Sequence, residues 1–430
     1  MRQQIPLIIY LSLLLFVTQQ AEKLGFVFEL VRHGARAPLV SSPQCQFQVG
    51  DGMLTASGMR QRYFLGKLNR EKYIENQPGF LNEQFYYSQI QVQSTNVFRV
   101  IQSSYAELLG TFSTQNKKTQ LPSSSVESLK VGKGMPKIKI RNKIENILKE
   151  SDVLDNITLL PVYNFLKPNL KDNITETGCP YAGQQYNSAW YNPAYYEGYN
   201  EMLLAQLRQP YTEAFKLNKF KARFMNFTDL YEYSDILLGE EAENTCPKRF
   251  NFSEEQQYYN CYVQYLTLVL DFQDITRKLF VSKLLEMPIQ NIMKRIDEIS
   301  NGDKDQSTLR YMIYSGHDVQ IANVLTLLNP IEIGDVYQIP YGSTFYIELY
   351  YDDDCIKNTK TENDKQNCFW VQVIFNGKQL SFDTCQNESK LSKDELFIHK
   401  RCSFNNFLSH LDKNQYKGDM IEQCKKDFIN

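Results

Sequence analysis

One stretch of this 430-residue chain carries side chains that could do chemistry together: Arg32-His33-Gly34-Ala35-Arg36-Ala37-Pro38. Two guanidiniums beside an imidazole disfavour the imidazolium through charge repulsion. That arrangement is costly unless an anion sits there, and a phosphate matches the guanidinium forks in shape and charge. The histidine then stays neutral in acid, and a neutral ring nitrogen can attack phosphorus. Gly34 is expected to let the backbone come close to the ligand.

A second stretch, Ser315-Gly316-His317-Asp318, supplies what the first lacks. A protonated carboxyl can donate to a leaving alkoxide, and a second histidine can bind a phosphate oxygen. Taken alone, Asp318 would be an ordinary helix cap. Arg99 is the third piece. It falls in the first turn of a predicted helix, where free N–H groups and the dipole favour an anion. The other two histidines, His399 and His410, have no partner pattern and are taken as surface or structural.

These residues need elements to hold them. Gly25 to Arg32 reads as a strand with apolar residues on both faces, hence buried between helical layers, with Glu29 as the exception. Thr55 to Leu68 reads as a helix capped by Thr55. Gln84 to Gln93 reads as a strand, followed by a helix capped by Ser94 or Thr95 and stopped by Gly110. Tyr311 to Tyr314 is a short strand ending at the second motif, and a helix with Ile321, Val324, Leu325 and Leu328 on one face follows. Thr344 to Tyr351 and Phe369 to Phe375 read as further strands. Strand-to-helix units with motifs at strand ends are where α/β proteins place ligands.

Between Ser123 and Ser300 strand-like runs are few. Long helical patterns cover Glu254 to Leu285 and Ile289 to Ile299, and Tyr181 to Tyr199 reads as a tyrosine-rich loop. The expected organisation is α/β: a mixed central sheet flanked by helices (22–122 and 301–430) with a mainly α-helical cap subdomain inserted (123–300).

The motifs together resemble the histidine acid phosphatase family, the acid phosphatase and phytase branch of the histidine phosphatase superfamily. The resemblance rests on Arg32 to Pro38, Leu54-Thr55 with Gly58-Met59, Ser94-Thr95 with Arg99, and His317-Asp318. It implies a phosphohistidine on His33, proton donation by Asp318, and phosphate held by Arg32, Arg36, Arg99 and His317. It implies no metal and no cofactor. Gln93 and Asn96 depart from residues common in the family, and structural adjustment is expected there.

Net charge is −2, from 47 basic and 49 acidic residues, so nucleic acid is excluded as the expected partner. Small phosphomonoesters are expected instead, with a homodimer as the candidate assembly. Residues 1–21 read as a signal peptide: Arg2, an apolar run from Leu7 to Val17, then a polar stretch. No later run is long enough to span a membrane. Sequons start at Asn156, Asn173, Asn226, Asn251 and Asn387, and the nine cysteines include no C-x-x-C pair. Disulfides in a secreted or lysosome-like lumen are expected, with one thiol left over and Cys355 and Cys368 suited to closing a loop. An inositol-polyphosphate phosphatase is the rival function. It would want a basic pocket wall, yet the inserted region offers only Lys216, Lys219, Lys221 and Arg223 as a cluster. A catalytically silent phosphate-binding protein of the same fold is the alternative from a different class.

Overall fold

The computed structural model describes the chain except residues 1–21, 43, 83–85, 113–159, 167–169, 191–195, 244–245, 247, 249–250, 270–271, 303–307, 334–337, 386–400 and 429–430. The expected signal peptide, the sequons at Asn156 and Asn387, and His399 lie outside the described residues.

The sheet is mixed. Its strands are β1 (Lys23–Arg32), β2 (Ile90–Ser94), β3 (Tyr311–Gly316), β4 (Thr344–Tyr351), β5 (Phe369–Phe375), β6 (Lys378–Leu380) and β7 (Cys402–Ser403), in the order β2-β3-β1-β4-β5-β6 with β7 against β5. β1, β2 and β3 run parallel, while β4 returns antiparallel beside β1. Arg32 pairs in register with Gly316, and Ser94 with Ser315, so three strand ends meet at one edge. β4 and β5 have the predicted bounds: β4 is buried on both faces from Thr344 to Leu349, whereas β5 alternates buried Phe369, Val371, Val373 and Phe375 with half-buried residues.

Phe26, Phe28 and Leu30 of β1 enter one core layer, and Val27 and Val31 the other. Glu29 has its account here. Its carboxyl accepts from Asn69 (3.1 Å) and from the hydroxyls of Tyr346 (3.1 Å) and Tyr311, so the buried group is not left unpaired.

Helix α1 (Ala56–Arg70) begins as expected, with Thr55 Oγ1 accepting from Gly58 N. Helix α2 (Phe98–Thr111) corrects three expectations. Strand β2 starts at Ile90, not Gln84, because residues 87–89 form a turn. The helix starts at Phe98 behind Val97, with no side-chain cap. Gly110 does not stop it. A Cβ there would stand 2.1 Å from the Tyr63 carbonyl oxygen, and one at Gly66 would stand 2.0 Å from that of Glu107. Both glycines serve the close packing of α1 on α2.

Between β2 and β3 in the chain come α3 (Pro180–Trp190), α4 (Glu197–Ala214), α5 (Lys219–Arg223), α6 (Phe227–Glu241), α7 (Glu254–Val269) and α8 (Asp274–Ser300). The tyrosine-rich stretch is thus partly helix, and Tyr181 and Tyr186 pack on Phe428 and Phe272. The long patterns divide at residues 270–273, and α8 continues through Pro288. By packing, α4, α6 and α7 build their own apolar cluster, whereas α8 buries Leu279, Leu284, Ile292 and Ile296 in the core against the sheet. Helix α9 (Asp318–Leu328) follows β3 directly.

Four disulfides brace this body: Cys45–Cys246, Cys179–Cys424, Cys355–Cys368 and Cys385–Cys402, leaving Cys261 as the buried free thiol. Cys355–Cys368 closes the expected loop, which holds short helices. Asn173 is buried, which closes its sequon to a glycan in this fold, while Asn226 and Asn251 are exposed. No helix among the described residues is long and apolar enough to cross a membrane.

Candidate active site

The three motifs converge at the shared strand edge. His33 leaves the end of β1 and is 2 % exposed. Its backbone N–H donates to Gly316 O at 3.0 Å, which ties the first motif to the end of β3. The following N–H groups are also taken: Gly34 N donates to Ser103 Oγ (3.1 Å) and Ala35 N to Gln61 Oε1 (2.8 Å). The close approach that Gly34 allows is to α1, not to a ligand. A Cβ on Gly34 would stand 2.2 Å from the Gly58 carbonyl oxygen.

The ring of His33 is oriented through both nitrogens. Nδ1 lies 2.8 Å from the Gly34 carbonyl, which can only accept, so Nδ1 carries the proton. Nε2 is then a bare lone pair, and it accepts from Arg99 Nε at 3.1 Å. Burial first, then the charges of Arg32 and Arg99, hold this imidazole well below its usual pKa. His317 stands edge-on to His33, with ring centroids 5.4 Å apart. Its Nε2 is 3.1 Å from Thr95 Oγ1, so Thr95 contacts a ring where a helix cap was expected. Burial and then Arg99 lower His317 to about 3, against the smaller upward pull of Asp318.

Three guanidiniums surround this pair. Arg32 makes an ion pair with Asp318 (2.5 Å) and donates to Ile339 O. Arg36 makes a two-pronged ion pair with Asp235 of α6, at 2.7 and 3.2 Å. Arg99 also donates to Gly52 O (3.3 Å), and burial followed by Arg36 lowers its pKa to about 10. Tyr341 lies beneath, with the Arg32 guanidinium 4.3 Å and that of Arg36 5.9 Å from its ring centroid. Asp318 stands at the first turn of α9 rather than as its cap; His317 holds that place, its N–H bonded to Gln320 Oε1 at 2.8 Å. Burial alone would raise the Asp318 carboxyl, but Arg32, His317, Arg36 and Arg99 outweigh it and hold it below the usual range.

A cavity of about 200 Å³ adjoins these groups and is reached by Arg32 and Asp318. Arg32, Asp318 and Tyr341 line it together with Asp235 and Glu241 of α6 and Cys261 and Gln264 of α7. All six expected site residues therefore gather at one place. Asp235, Tyr341 and Gln61 carry no signal that single-sequence reasoning could use. Asp235 sits in an ordinary amphipathic helix and Tyr341 in a turn. Arg62 is a fourth such residue: fully buried, it donates to the Arg32 carbonyl (2.6 Å) and pairs with Glu107.

The chain matches the histidine phosphatase superfamily (branch 2) over residues 40–376, a stretch that starts just past Pro38 and includes Arg99, His317 and Asp318. It is similar to the lysosomal acid phosphatase of Xenopus laevis, 24 % identical over 371 residues, covering 81 % of this chain and 72 % of the relative. It is also similar to that of Pongo abelii, 32 % identical over 132 residues, which is 30 % of each chain. The matched stretch thus spans under a third of that relative's length. Among solved structures, the fold is similar to a phytase from Citrobacter braakii (TM-score 0.55, 16 % identity, covering 94 % of this chain and 99 % of that one). A phytase from Hafnia alvei gives a TM-score of 0.57 at 13 % identity, covering 95 % and 99 %. The chain belongs to branch 2 of the histidine phosphatase superfamily.

Proposed function

We propose that this protein is an acid phosphatase that hydrolyses phosphate monoesters through a covalent phosphohistidine on His33. One observation carries the proposal. The Nδ1 proton of His33 is committed to Gly34 O, so its Nε2 lone pair faces a site with three guanidiniums and a carboxyl.

In the first step Nε2 attacks phosphorus, the bond to the ester oxygen breaks, and Asp318 gives its proton to the departing alkoxide. Arg32, Arg36, Arg99 and His317 hold the non-bridging oxygens, whose charge rises in the transition state. In the second step the Asp318 carboxylate takes a proton from water as the water oxygen attacks phosphorus. The P–N bond breaks, and inorganic phosphate leaves.

Asp318 must be protonated for the first step, yet it is ionised where it pairs with Arg32. A bound phosphate resolves this. Its oxygens take over the guanidinium of Arg32, and its charge beside the carboxyl favours the protonated acid.

The cavity wall favours simple monoesters over inositol polyphosphates. Glu241 lines the cavity, and Asp235 there is matched by Arg36, so no surplus of positive charge supports a crowded polyphosphate. The four disulfides support residence in an oxidising lumen, secreted or lysosome-like.

The test is hydrolysis of p-nitrophenyl phosphate by purified protein with chelator, from about pH 3 to 8, beside His33→Ala and Asp318→Ala. Acid-peaked, chelator-resistant activity that is lost in His33→Ala, with labelled phosphate trapped on the wild-type chain, is expected. A folded, phosphate-binding wild type without activity would sink the enzyme reading in favour of a phosphate-binding protein.

A further inference from the structure

The chain is nearly neutral overall, yet one surface segment is strongly cationic. Lys216, Lys219, Lys221 and Arg223 fall within residues 216–223, and no acid occurs between Glu213 and Asp229. The segment is the tip joining α4 to α6, with α5 as its short helix. All four cations are exposed.

The tip is firmly built. Asn218 Oδ1 accepts from Lys221 N at 2.9 Å, and Asn226 forms a capping box with Asp229. Phe215, Leu217, Met225 and Phe227 anchor it in the cluster of α4, α6 and α7. Phe220 and Phe224 do not join them. They are 72 % and 60 % exposed, with ring centroids 4.7 Å apart, so they form one apolar knob among the charges. Lys216 has a φ of 52°, a left-handed conformation that glycine or asparagine adopts at lower cost.

We infer that this tip docks on an anionic lipid bilayer, with Phe220 and Phe224 seated at the acyl boundary and Lys216, Lys219, Lys221 and Arg223 over the headgroups. Basic side chains flanking exposed aromatic rings are what such an interface recognises. A single-stranded nucleic acid is less well matched. Base stacking needs separate ring faces, and here each ring is partly covered by the other.

The test is co-sedimentation of the full-length protein with phosphatidylcholine vesicles, with and without about 30 mol % phosphatidylserine, at low and physiological salt. Asn226→Asp is run alongside, since it keeps the helix cap and removes the adjacent sequon. Salt-sensitive partition onto the anionic vesicles is expected from one or both proteins. A fall of about tenfold or more is expected in Phe220→Ser/Phe224→Ser and in Lys219→Glu/Lys221→Glu. An unchanged melting transition in both double variants reports an intact fold. Equal sedimentation with neutral and anionic vesicles, or full binding by either double variant, overturns the proposal. Capture on heparin without any vesicle binding overturns it too, and points to a soluble polyanion.

Discussion

Arg36 and Asp235 are joined by two hydrogen bonds, Nη2 to Oδ1 at 2.7 Å and Nη1 to Oδ2 at 3.2 Å, although 199 residues separate them in sequence. Both are buried, and the same carboxylate accepts from Leu39 N at 2.7 Å. Helix α6 therefore sets the direction of a guanidinium that belongs to the first motif. Removing one partner of a buried pair leaves the other charge uncompensated, so Asp235→Ala should lose about 3–5 kcal/mol of stability by denaturant titration. The milder Asp235→Asn should raise KM for p-nitrophenyl phosphate. It should also raise the relative kcat/KM for inositol hexaphosphate about tenfold, because the Arg36 charge is no longer neutralised. An unchanged substrate ratio would show that Asp235 acts on the fold alone.

Asp318→Asn separates proton donation from phosphate binding. p-Nitrophenolate is a good leaving group and needs little protonation, whereas the alkoxide of glycerol phosphate needs it. The variant should therefore lose roughly 10²–10⁴-fold more kcat on glycerol phosphate than on p-nitrophenyl phosphate. Equal losses on both would remove Asp318 from the donor role.

The pH profile follows from His33. Burial and its arginine neighbours hold the imidazole well below its usual value, so it stays neutral, and nucleophilic, in acid. The acid limb of kcat/KM should lie well below pH 6.5. In Arg99→Gln one of the repelling charges is gone, the His33 pKa rises, and the limb should move to higher pH, on top of weaker phosphate binding. A limb that stays in place would mean another group sets it.

Glu29 gives a stability profile of the opposite kind to most carboxylates. Burial, then the Glu107 charge, raises its folded pKa well above the usual value. Its contribution is therefore fully present below the unfolded pKa of about 4.3 and is lost as pH rises through the folded value. Glu29→Gln keeps a hydrogen-bonding amide among Tyr311, Tyr346 and Asn69 without a titrating group. Its melting temperature should gain on wild type as pH rises from about 4 to 8. Parallel melting curves across that range would assign the pH dependence elsewhere.

Much of the site was legible because its chemistry sits in short contiguous motifs. Arg32 to Pro38 and His317-Asp318 both end buried strands whose two-sided apolar pattern is strong, and β4 and β5 could be bounded to the residue. The rest is set by tertiary contact. Asp235 and Tyr341 are ordinary in sequence and acquire meaning only beside Arg36. Gly110 looks like a helix stop and Gly34 like room for a ligand, but both, with Gly66, mark close backbone packing. Thr95 looks like a helix cap, yet it spends its hydroxyl on His317. Glu29 seemed misplaced until its three partners came from α1, β3 and β4.

The position of β1 bears on how the chain is made. Among the described strands it is the earliest in the chain and leads into His33, but its neighbours are β3 and β4, from Tyr311 and Thr344 onward. During synthesis an apolar ribbon with two open edges must wait for most of the polypeptide to follow, which slows folding and invites aggregation. Translation order thus leaves these edges open until β3 and β4 follow, and His33 and Asp318 cannot meet before then.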